Sequence, residues 1–125
     1  MKILVVDDSV LDRKLLIRIL MTGGVTQEIL QAEDGQDALE ILAQNYQDIG
    51  LILLDWQMPR MSGIELMAGM VKIPMLSSIP IIMVTASGSQ DNQKLARDIS
   101  PNLAGYIIKP YKNQELLDAI KPFLK

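Results

Sequence analysis

Three aspartates stand where apolar runs end, and they are the residues best suited to do chemistry in this sequence. Asp7 and Asp8 directly follow the run Ile3–Val6, and Asp55 directly follows Leu51–Leu54. Carboxylates that lie close together repel one another unless a cation neutralises them, and oxygen ligands of this kind suit Mg2+. A carboxylate can also act as a nucleophile and form an aspartyl-phosphate. The aspartates therefore indicate a cation site, phosphoryl chemistry, or both.

Each of these aspartates also has an ordinary structural explanation. Asp7 and Asp8 precede a helical pattern that begins near Val10, and aspartate commonly caps the first turn of a helix. Asp55 could form a side-chain turn ahead of Pro59. The residue types alone therefore do not distinguish a cation site from a helix cap or a turn.

A hydroxyl group and an ammonium group follow two further apolar runs. Thr85 comes directly after Ile81–Val84, and Lys109 directly after Gly105–Ile108. Thr85 could donate its hydroxyl to a phosphoryl oxygen, and Lys109 could present a point charge to the same group. Taken alone, each is as well explained by a β-branched residue that ends a strand and by a surface lysine. Lys109 also precedes Pro110, so the peptide bond between them could be cis.

The composition narrows the remaining chemistry. The chain has 125 residues, 49% of them hydrophobic, which is enough for one core and predicts a single domain over residues 1–125. It has no cysteine and no histidine, which excludes disulfides, thiol nucleophiles, imidazole ligands and a phosphohistidine on this chain.

A net charge of −3 argues against direct nucleic-acid binding. No apolar run approaches the roughly 20 residues of a membrane span, and we expect a cytoplasmic protein that binds no membrane.

Short apolar runs alternate with longer segments of helical periodicity along the whole chain. Four of the five short runs are almost continuous in Val, Ile and Leu, which is typical of parallel strands covered on both faces. The predicted strands are Ile3–Val6, the less regular Glu28–Gln31, Leu51–Leu54, Ile81–Val84 and Gly105–Ile108. The predicted helices are Val10–Met21, Gln36–Asn45, one that starts near Gly63, Asp91–Ile99 and Asn113–Leu124, whose last turn Pro122 should weaken.

Five strand–helix pairs in alternation predict an α/β domain with five helices and a parallel sheet. Right-handed crossovers make this an open, doubly wound sheet with helices on both faces, and a closed barrel would need about twice this length. In open parallel sheets the functional crevice lies at the carboxyl ends of the strands. This topology therefore places the three aspartates, Thr85 and Lys109 at one edge of the sheet.

Five ordered motifs resemble those of response-regulator receiver domains. They occur in the order and at the spacing of that family, and together they cover essentially the whole chain. Within the family, the stretches around Asp55 and Ile79–Ala86 are most similar to single-domain chemotaxis regulators of the CheY type. The five motifs are Ile3–Ser9, Ala32–Leu39, Leu54–Gly63, Met83–Ala86 and Gly105–Pro110.

The resemblance implies a flavodoxin-like fold and a phosphorylation site built around Asp55. The strand order would be 2-1-3-4-5, which is known from flavodoxin and from the chemotaxis regulator CheY. Asp55 would accept a phosphoryl group from a phosphohistidine on a sensor histidine kinase or a phosphotransfer protein. Mg2+ would be bound by Asp8, Asp55 and the backbone carbonyl of Gln57, and Asp7 would contribute through water.

The resemblance also implies how the phosphoryl group would be held and sensed. Thr85 and Lys109 would hold its oxygens, and Tyr106 would be a switch residue that moves inward as Thr85 moves toward the phosphate. Phosphorylation adds about −1.5 to −2 charges and strong acceptor oxygens, which would bias a loop with two arrangements. A downstream protein would then bind the face formed by the helix Asp91–Ile99, the fifth strand and the last helix. That face includes Lys94, Arg97, Tyr106, Tyr111 and Lys112.

Other functions fit this sequence less well. A Mg2+-dependent phosphatase that forms an aspartyl-phosphate usually has a second carboxylate two residues after the nucleophile, where this chain has Gln57. A pseudo-receiver that only binds protein usually lacks one of the acidic pair, the phospho-acceptor or the lysine. Here Asp7, Asp8, Asp55 and Lys109 are all present. A dinucleotide-binding module would need a glycine-rich turn after the first strand. We expect a phospho-acceptor with only weak self-catalysed transfer and dephosphorylation, not a dedicated enzyme; it could also be the receiver part of a longer regulator.

Leu11 and Leu15 lie one turn apart on the first predicted helix, close to the predicted site. Leu11 could be partly exposed and help to dock the helix that carries the phosphohistidine. Alternatively, both leucines could belong to the hydrophobic core. The sequence leaves these two interpretations open.

Overall fold

The computed structural model describes residues 1–124 and contains within them a five-stranded parallel sheet. The strand order is β2-β1-β3-β4-β5, so the predicted doubly wound α/β fold with order 2-1-3-4-5 is confirmed. Each strand begins and ends within two residues of its predicted bounds. The strands are β1 Lys2–Val6, β2 Glu28–Ala32, β3 Ile49–Leu54, β4 Ile81–Thr85 and β5 Gly105–Ile108.

Residues 1–124 contain six α-helices, so the prediction of five helices is wrong. The additional helix has a single turn with a proline at its start, which is too short to produce a visible helical periodicity. The last helix ends at Ile120 and continues as a 3-10 turn over Lys121–Phe123, as expected from Pro122. None of the helices in this part of the chain is long and apolar enough to span a membrane. The helices are α1 Val10–Thr22, α2 Gly35–Asn45, α3 Gly63–Met70, α4 Pro74–Ser77, α5 Gln90–Ile99 and α6 Asn113–Ile120.

Side chains of the central strands alternate between the two faces of the sheet, and helices cover both faces. Ile3 and Val5 of β1 pack on the face covered by α1 and α6, whereas Leu4 and Val6 pack on the other face, covered by α2, α3 and α5. Because both faces are covered, these strands carry apolar residues without interruption. Apart from Lys2 at the start of β1, polar side chains of the central strands therefore appear only at their carboxyl ends. Helix residues in the two cores include Leu16, Leu20, Leu116 and Ile120 on the first face, and Ala38, Leu42, Leu66, Met67 and Ala96 on the second.

The irregular pattern of the second predicted strand follows from its place at the edge of the sheet. β2 pairs with β1 only. Glu28 and Gln31 are exposed, and Ile29 and Leu30 are partly buried. Polar residues on an edge strand discourage pairing with other chains, so β2 does not need the continuous apolar run of the central strands.

Glycine is required at the start of α3, where this helix passes against the end of β3. Ser62 caps α3 by accepting a hydrogen bond from the N–H of Glu65, and the Glu65 carboxylate accepts one from the N–H of Ser62. A Cβ atom built on Gly63 would lie 2.0 Å from the carbonyl oxygen of Asp55, whereas one built on Gly69 would have no atom within 4 Å. The first turn of α3 is therefore packed directly against the backbone of Asp55.

We predict opposite effects from two alanine substitutions in α3. Gly63→Ala should lower the free energy of unfolding by about 1–3 kcal/mol, because the backbone must move to admit the methyl group. Gly69→Ala should raise it by about 0.5–1 kcal/mol, because alanine loses less conformational entropy than glycine in a helix. Urea unfolding of both variants checks these values, and effects of the same sign would contradict the close contact at Gly63.

Candidate functional site

Asp7, Asp8 and Asp55 converge at the carboxyl edge of the sheet. β1 and β3 are neighbours there, and the backbone N–H of Asp55 donates to the carbonyl oxygen of Val6 at 2.9 Å. One carboxylate oxygen from each aspartate lies within 4.8 Å of the others. Asp7 is buried, Asp55 is partly buried and Asp8 is exposed. The structure thus brings together three oxygen donors that are able to bind a divalent cation.

Lys109 places its ammonium group among these carboxylates. Its backbone N–H donates to the carbonyl oxygen of Thr85 at 2.9 Å, which fixes Lys109 at the end of β5. Its Nζ lies 2.6 Å from Oδ2 of Asp7, 2.9 Å from Oδ2 of Asp12 and 3.6 Å from Oδ2 of Asp55. Burial alone would lower the pKa of this ammonium group, but the hydrogen bonds to Asp12 and Asp7 and the charge of Asp55 raise it. Lys109 is therefore a permanent positive charge at neutral pH.

The carboxyl group of Asp55 has a pKa above its ordinary value. Burial is the largest cause, and the charge of Asp7 acts in the same direction, whereas the hydroxyl of Thr85 and the ammonium of Lys109 lower the pKa. The ammonium group of Lys109 and the hydroxyl of Thr85 thus do not outweigh burial and the charge of Asp7 at Asp55. A divalent cation between Asp7, Asp8 and Asp55 would supply further positive charge.

Thr85 and Tyr106 are both hydrogen-bonded to Ser87, in the loop that follows β4. Thr85 is buried, and its hydroxyl oxygen accepts a hydrogen bond from the N–H of Ser87 at 3.2 Å. The hydroxyl of Tyr106 donates to the carbonyl oxygen of Ser87, and its ring packs against the core on the α2–α3–α5 face of the sheet. A movement of this loop would therefore change the contacts of both side chains.

The loop between β3 and α3 carries Gln57, the residue whose backbone carbonyl the family resemblance makes a cation ligand. The side chain of Gln57 is exposed. Next to it, the N–H of Trp56 donates to Oδ1 of Asp55 at 2.7 Å, and the carbonyl oxygen of Trp56 accepts from the N–H of Gly63 at 2.8 Å. These bonds hold the start of the loop beside the carboxylates, and the role of the Gln57 carbonyl stays a prediction.

An ion pair that sequence reasoning missed ties this loop to α2. Asp34 is only 2% exposed. Its Oδ1 caps α2 by accepting from the N–H of Asp37 at 2.8 Å, and its Oδ2 lies 2.7 Å from Nε of Arg60. Arg60 has a φ of 63°, a left-handed conformation that is unfavourable for most side chains. Burial alone would raise the pKa of Asp34, but the hydrogen bonds from Arg60 and from the start of α2 lower it.

Two residues in the first turn of α1 also contact the site and were not predicted. Asp12 binds Lys109, as described above. Arg13 donates from Nη1 to the backbone carbonyl of Asp7 and from Nε to the side chain of Gln31 at 3.2 Å. The signal that could have revealed them is their position, because α1 begins two residues after the acidic pair and its first turn must face the same crevice.

The structure tests one part of the two interpretations of the leucines on α1, namely their exposure; docking through Leu11 stays a prediction. Leu11 is 65% exposed and Leu15 is 48% exposed. The prediction that Leu11 is exposed is confirmed, and the alternative that both residues belong to the core is wrong. The first two turns of α1 therefore present apolar side chains to solvent beside the acidic cluster.

The face predicted to bind a downstream protein consists of α5, β5 and α6, and we call it the output face. Helices α5 and α6 are the fourth and fifth helices of the prediction, because the structure has the additional helix α4 before them. Lys94, Arg97 and Lys112 are exposed on it. Tyr106 and Tyr111 are partly buried. The output face also exposes two apolar side chains, Leu95 and Ile108.

The chain belongs to the response-regulator receiver domain family, because the model of that family matches residues 3–121. It is 35% identical over 121 residues to the chemotaxis protein CheY of Pseudomonas aeruginosa, covering 97% of this chain and 94% of that protein. It is 33% identical over 124 residues to a CheY homolog of Campylobacter jejuni, covering 99% and 92%. It is also 37% identical over 123 residues to the phosphate regulon transcriptional regulatory protein PhoB of P. aeruginosa, of which it spans only 51%.

Solved structures of chemotaxis regulators share the fold. CheY4 of Vibrio cholerae superposes with a TM-score of 0.84 at 27% identity over 98% of both chains. A chain from the CheX–CheY–BeF3–Mg2+ complex of Borrelia burgdorferi superposes with a TM-score of 0.86 at 27% identity, over 100% of this chain and 90% of that one. The resemblance read from the sequence motifs is thus confirmed at the level of the family and of the fold.

We predict that Asp34→Asn changes how stability depends on pH. The folded state lowers the pKa of Asp34, so its ionised form stabilises the fold above the ordinary value of 3.8, and this contribution is lost as the pH falls through the lowered value. Asparagine can still cap α2 but carries no charge. The variant should therefore be less stable than wild type at pH 7, and the difference should shrink below pH 3.8. Urea unfolding across this range checks the prediction, which a pH-independent difference would contradict.

Proposed function

We propose that this receiver domain is a phospho-acceptor switch in two-component signal transduction. Asp55 receives the phosphoryl group from a phosphohistidine on a sensor histidine kinase or a phosphotransfer protein. The observation that carries the proposal is the ammonium group of Lys109, 3.6 Å from Oδ2 of Asp55, next to the clustered carboxylates of Asp7 and Asp8. These 125 residues contain no histidine, so the phosphohistidine lies outside them, or the donor is a small phosphodonor.

In the proposed transfer, a carboxylate oxygen of Asp55 attacks the phosphorus atom. The P–O bond to Asp55 forms as the P–N bond to the imidazole breaks, and the imidazole nitrogen keeps the electron pair. The ammonium group of Lys109, 3.6 Å from Oδ2 of Asp55, would donate to one oxygen of the transferred group, and the buried hydroxyl of Thr85 would be a second donor. Both residues thus stabilise negative charge where it accumulates.

We assign the acidic cluster to Mg2+. Asp8, Asp55 and the backbone carbonyl of Gln57 would hold the ion, and Asp7 would contribute through water. The donors fit, since they are all oxygens and since the three carboxylates already lie within 4.8 Å of one another. When bound, Mg2+ offsets the charge of the phosphoryl oxygens.

The proposed output is a change in protein binding at the output face. Thr85 and Tyr106 would transmit it, because both are hydrogen-bonded to Ser87. Similarity to the CheY proteins of P. aeruginosa and C. jejuni supports chemotaxis as the pathway. The CheX–CheY complex of B. burgdorferi supports a protein as the partner. We propose no direct contact with nucleic acid, in keeping with the net charge of −3.

We further propose that the domain catalyses no reaction beyond weak phosphotransfer to itself and weak dephosphorylation, and that it acts in the cytoplasm. Gln57 stands where a dedicated phosphatase would have its second carboxylate. The receiver part of a longer regulator is a second candidate, favoured by the similarity to PhoB, of which this chain spans about half the length. A pseudo-receiver is disfavoured because Asp7, Asp8, Asp55 and Lys109 are all present.

Incubation with acetyl phosphate and Mg2+ should add one phosphoryl group to the wild-type protein. Asp55→Asn should gain none, because an amide oxygen is a poor nucleophile. Removal of Mg2+ with a chelator should reduce the adduct to background, since the charge of the phosphoryl group is then uncompensated. Intact mass spectrometry measures all three samples.

Asp48→Asn is the matched control for the loss of one negative charge. Asp48 is exposed at the opposite edge of the sheet, just before β3, and this variant should be phosphorylated like wild type. A phosphoryl adduct in Asp55→Asn would place the acceptor elsewhere. A wild-type protein that never gains mass but still binds a protein partner would establish the pseudo-receiver interpretation.

Leu11→Ala should slow phosphotransfer from a phosphohistidine donor protein while leaving phosphorylation by acetyl phosphate unchanged. The expected loss is roughly tenfold, since an exposed leucine buried at an interface contributes about 1.5 kcal/mol. Met21→Ala is the matched control, because Met21 lies at the other end of α1 and is 66% exposed against 65% for Leu11. Equal transfer rates for Leu11→Ala and wild type would rule out docking through Leu11.

A further inference from the structure

Three carboxylates surround the ammonium group of Lys109. The two that lie nearest to it do not include the proposed phospho-acceptor, Asp55. Nζ of Lys109 lies 2.6 Å from Asp7 and 2.9 Å from Asp12, both within hydrogen-bond distance. Oδ2 of Asp55 is 3.6 Å away, which is longer than a hydrogen bond. In the unphosphorylated protein, the second hydrogen bond of the Lys109 ammonium group therefore goes to Asp12 and not to Asp55.

Asp12 stands outside the acidic cluster that is suited to a cation. The cluster consists of Asp7, Asp8 and Asp55, whereas Asp12 lies in the first turn of α1 with its side chain 40% exposed. Asp12 and Lys109 line a groove of about 640 Å³ between α1 and the segment after β5. Asp7 also lines this groove, whereas Asp55 does not, so Asp12 contacts Lys109 from the side of the ammonium group that faces the groove.

We propose that Asp12 is a positioning residue that holds Lys109 away from Asp55 in the unphosphorylated protein. This inference rests on the proposed function. A phosphoryl group on Asp55 needs the ammonium of Lys109, and Asp12 competes for it. Lys109 keeps a third N–H donor, but a movement of Nζ toward a phosphoryl group on Asp55 lengthens its hydrogen bond to Asp12. Asp12 therefore sets how readily Asp55 is phosphorylated.

The carboxylate of Asp12 could also have a purely structural role in α1, and the test must distinguish that role from an effect on Lys109. An acidic residue in the first turn stabilises a helix by interacting with its dipole. The cap of α1, however, is Ser9, whose hydroxyl accepts the hydrogen bond from the backbone N–H of Asp12 at 3.1 Å. The carboxylate of Asp12 is therefore not needed as the cap, and its hydrogen-bonded partner is Lys109.

The first test compares phosphorylation rates with acetyl phosphate at saturating Mg2+. Asp12→Asn should be phosphorylated roughly two- to fivefold faster than wild type, the change expected from removing one partly exposed ion pair. Asp12→Glu, which restores the carboxylate, should return the rate to the wild-type value. Asp48→Asn, which removes a charge elsewhere, should have no effect. A rate for Asp12→Asn equal to or below that of wild type would overturn the proposal.

The second test does not depend on phosphorylation. With Asp12 neutral, the ammonium group of Lys109 turns toward Asp55 and competes with Mg2+, so the Kd for Mg2+, followed by the fluorescence of Trp56, should rise roughly two- to fivefold. In a Lys109→Met background the same substitution should change the Kd far less. An unchanged Kd in Asp12→Asn, or an equal change without the lysine, would overturn the role of Asp12.

The two tests also separate this inference from the proposed function. If the wild-type protein gains no phosphoryl group, the proposed function fails, and the Mg2+ titrations still decide whether Asp12 controls Lys109. If the wild-type protein is phosphorylated and Asp12→Asn behaves like it in both tests, only the inference about Asp12 fails. Urea unfolding of Asp12→Asn reports any loss of helix stability separately.

Discussion

Repulsion between carboxylates at the carboxyl edge of the sheet is the constraint on which the rest of this structure depends. Asp7 and Asp55 follow the neighbouring strands β1 and β3, and the hydrogen bond from Asp55 to Val6 continues the sheet to this point. The backbone therefore cannot relax to separate the charges. Burying these carboxylates is unfavourable even with Lys109 as their partner, because the loss of hydration opposes the ion pairs. The clustered charges support the proposed site for a cation and a phosphoryl group.

The surrounding helices reduce the cost of this negative charge. Each of the helices α1, α2, α3 and α5 follows a strand, so its N-terminus, with its partial positive charge, points toward the same edge of the sheet. Their first turns are closed by side-chain caps, which keep the N-termini rigid. The ion pair between Asp34 and Arg60 then joins the start of α2 to the loop that carries Gln57. The caps are Ser9, Asp34, Ser62 and Ser89.

The positions of the strands and the side chains at their ends could be predicted from the sequence, because both follow from local patterns, whereas the strand order was implied by the family resemblance. Continuous apolar runs mark the central strands, and the next polar residue after each run must lie at the carboxyl edge, as found for Asp55, Thr85 and Lys109. The pairs that were missed join residues far apart in the chain, such as Lys109 with Asp12. Their contact depends on how long side chains reach across helices, which no periodicity records. Helix α4 was missed because one turn has no period to detect.

Phosphorylation at the edge of the sheet must still change the output face. Ser87 connects the two regions, because it is hydrogen-bonded both to Thr85 at the site and to Tyr106 on the output face. In the proposed switch, Thr85 moves toward the phosphoryl group to donate its hydroxyl, and this movement lengthens the hydrogen bond that the hydroxyl accepts from the N–H of Ser87. The same residue holds the hydroxyl of Tyr106 through its carbonyl oxygen. The loop is also packed tightly on the output face, because a Cβ atom on Gly88 would lie 2.8 Å from the side chain of Ile108. In the proposed switch, the loss of the hydrogen bond between Ser87 and Thr85 would favour a second arrangement of the loop, in which Tyr106 moves inward.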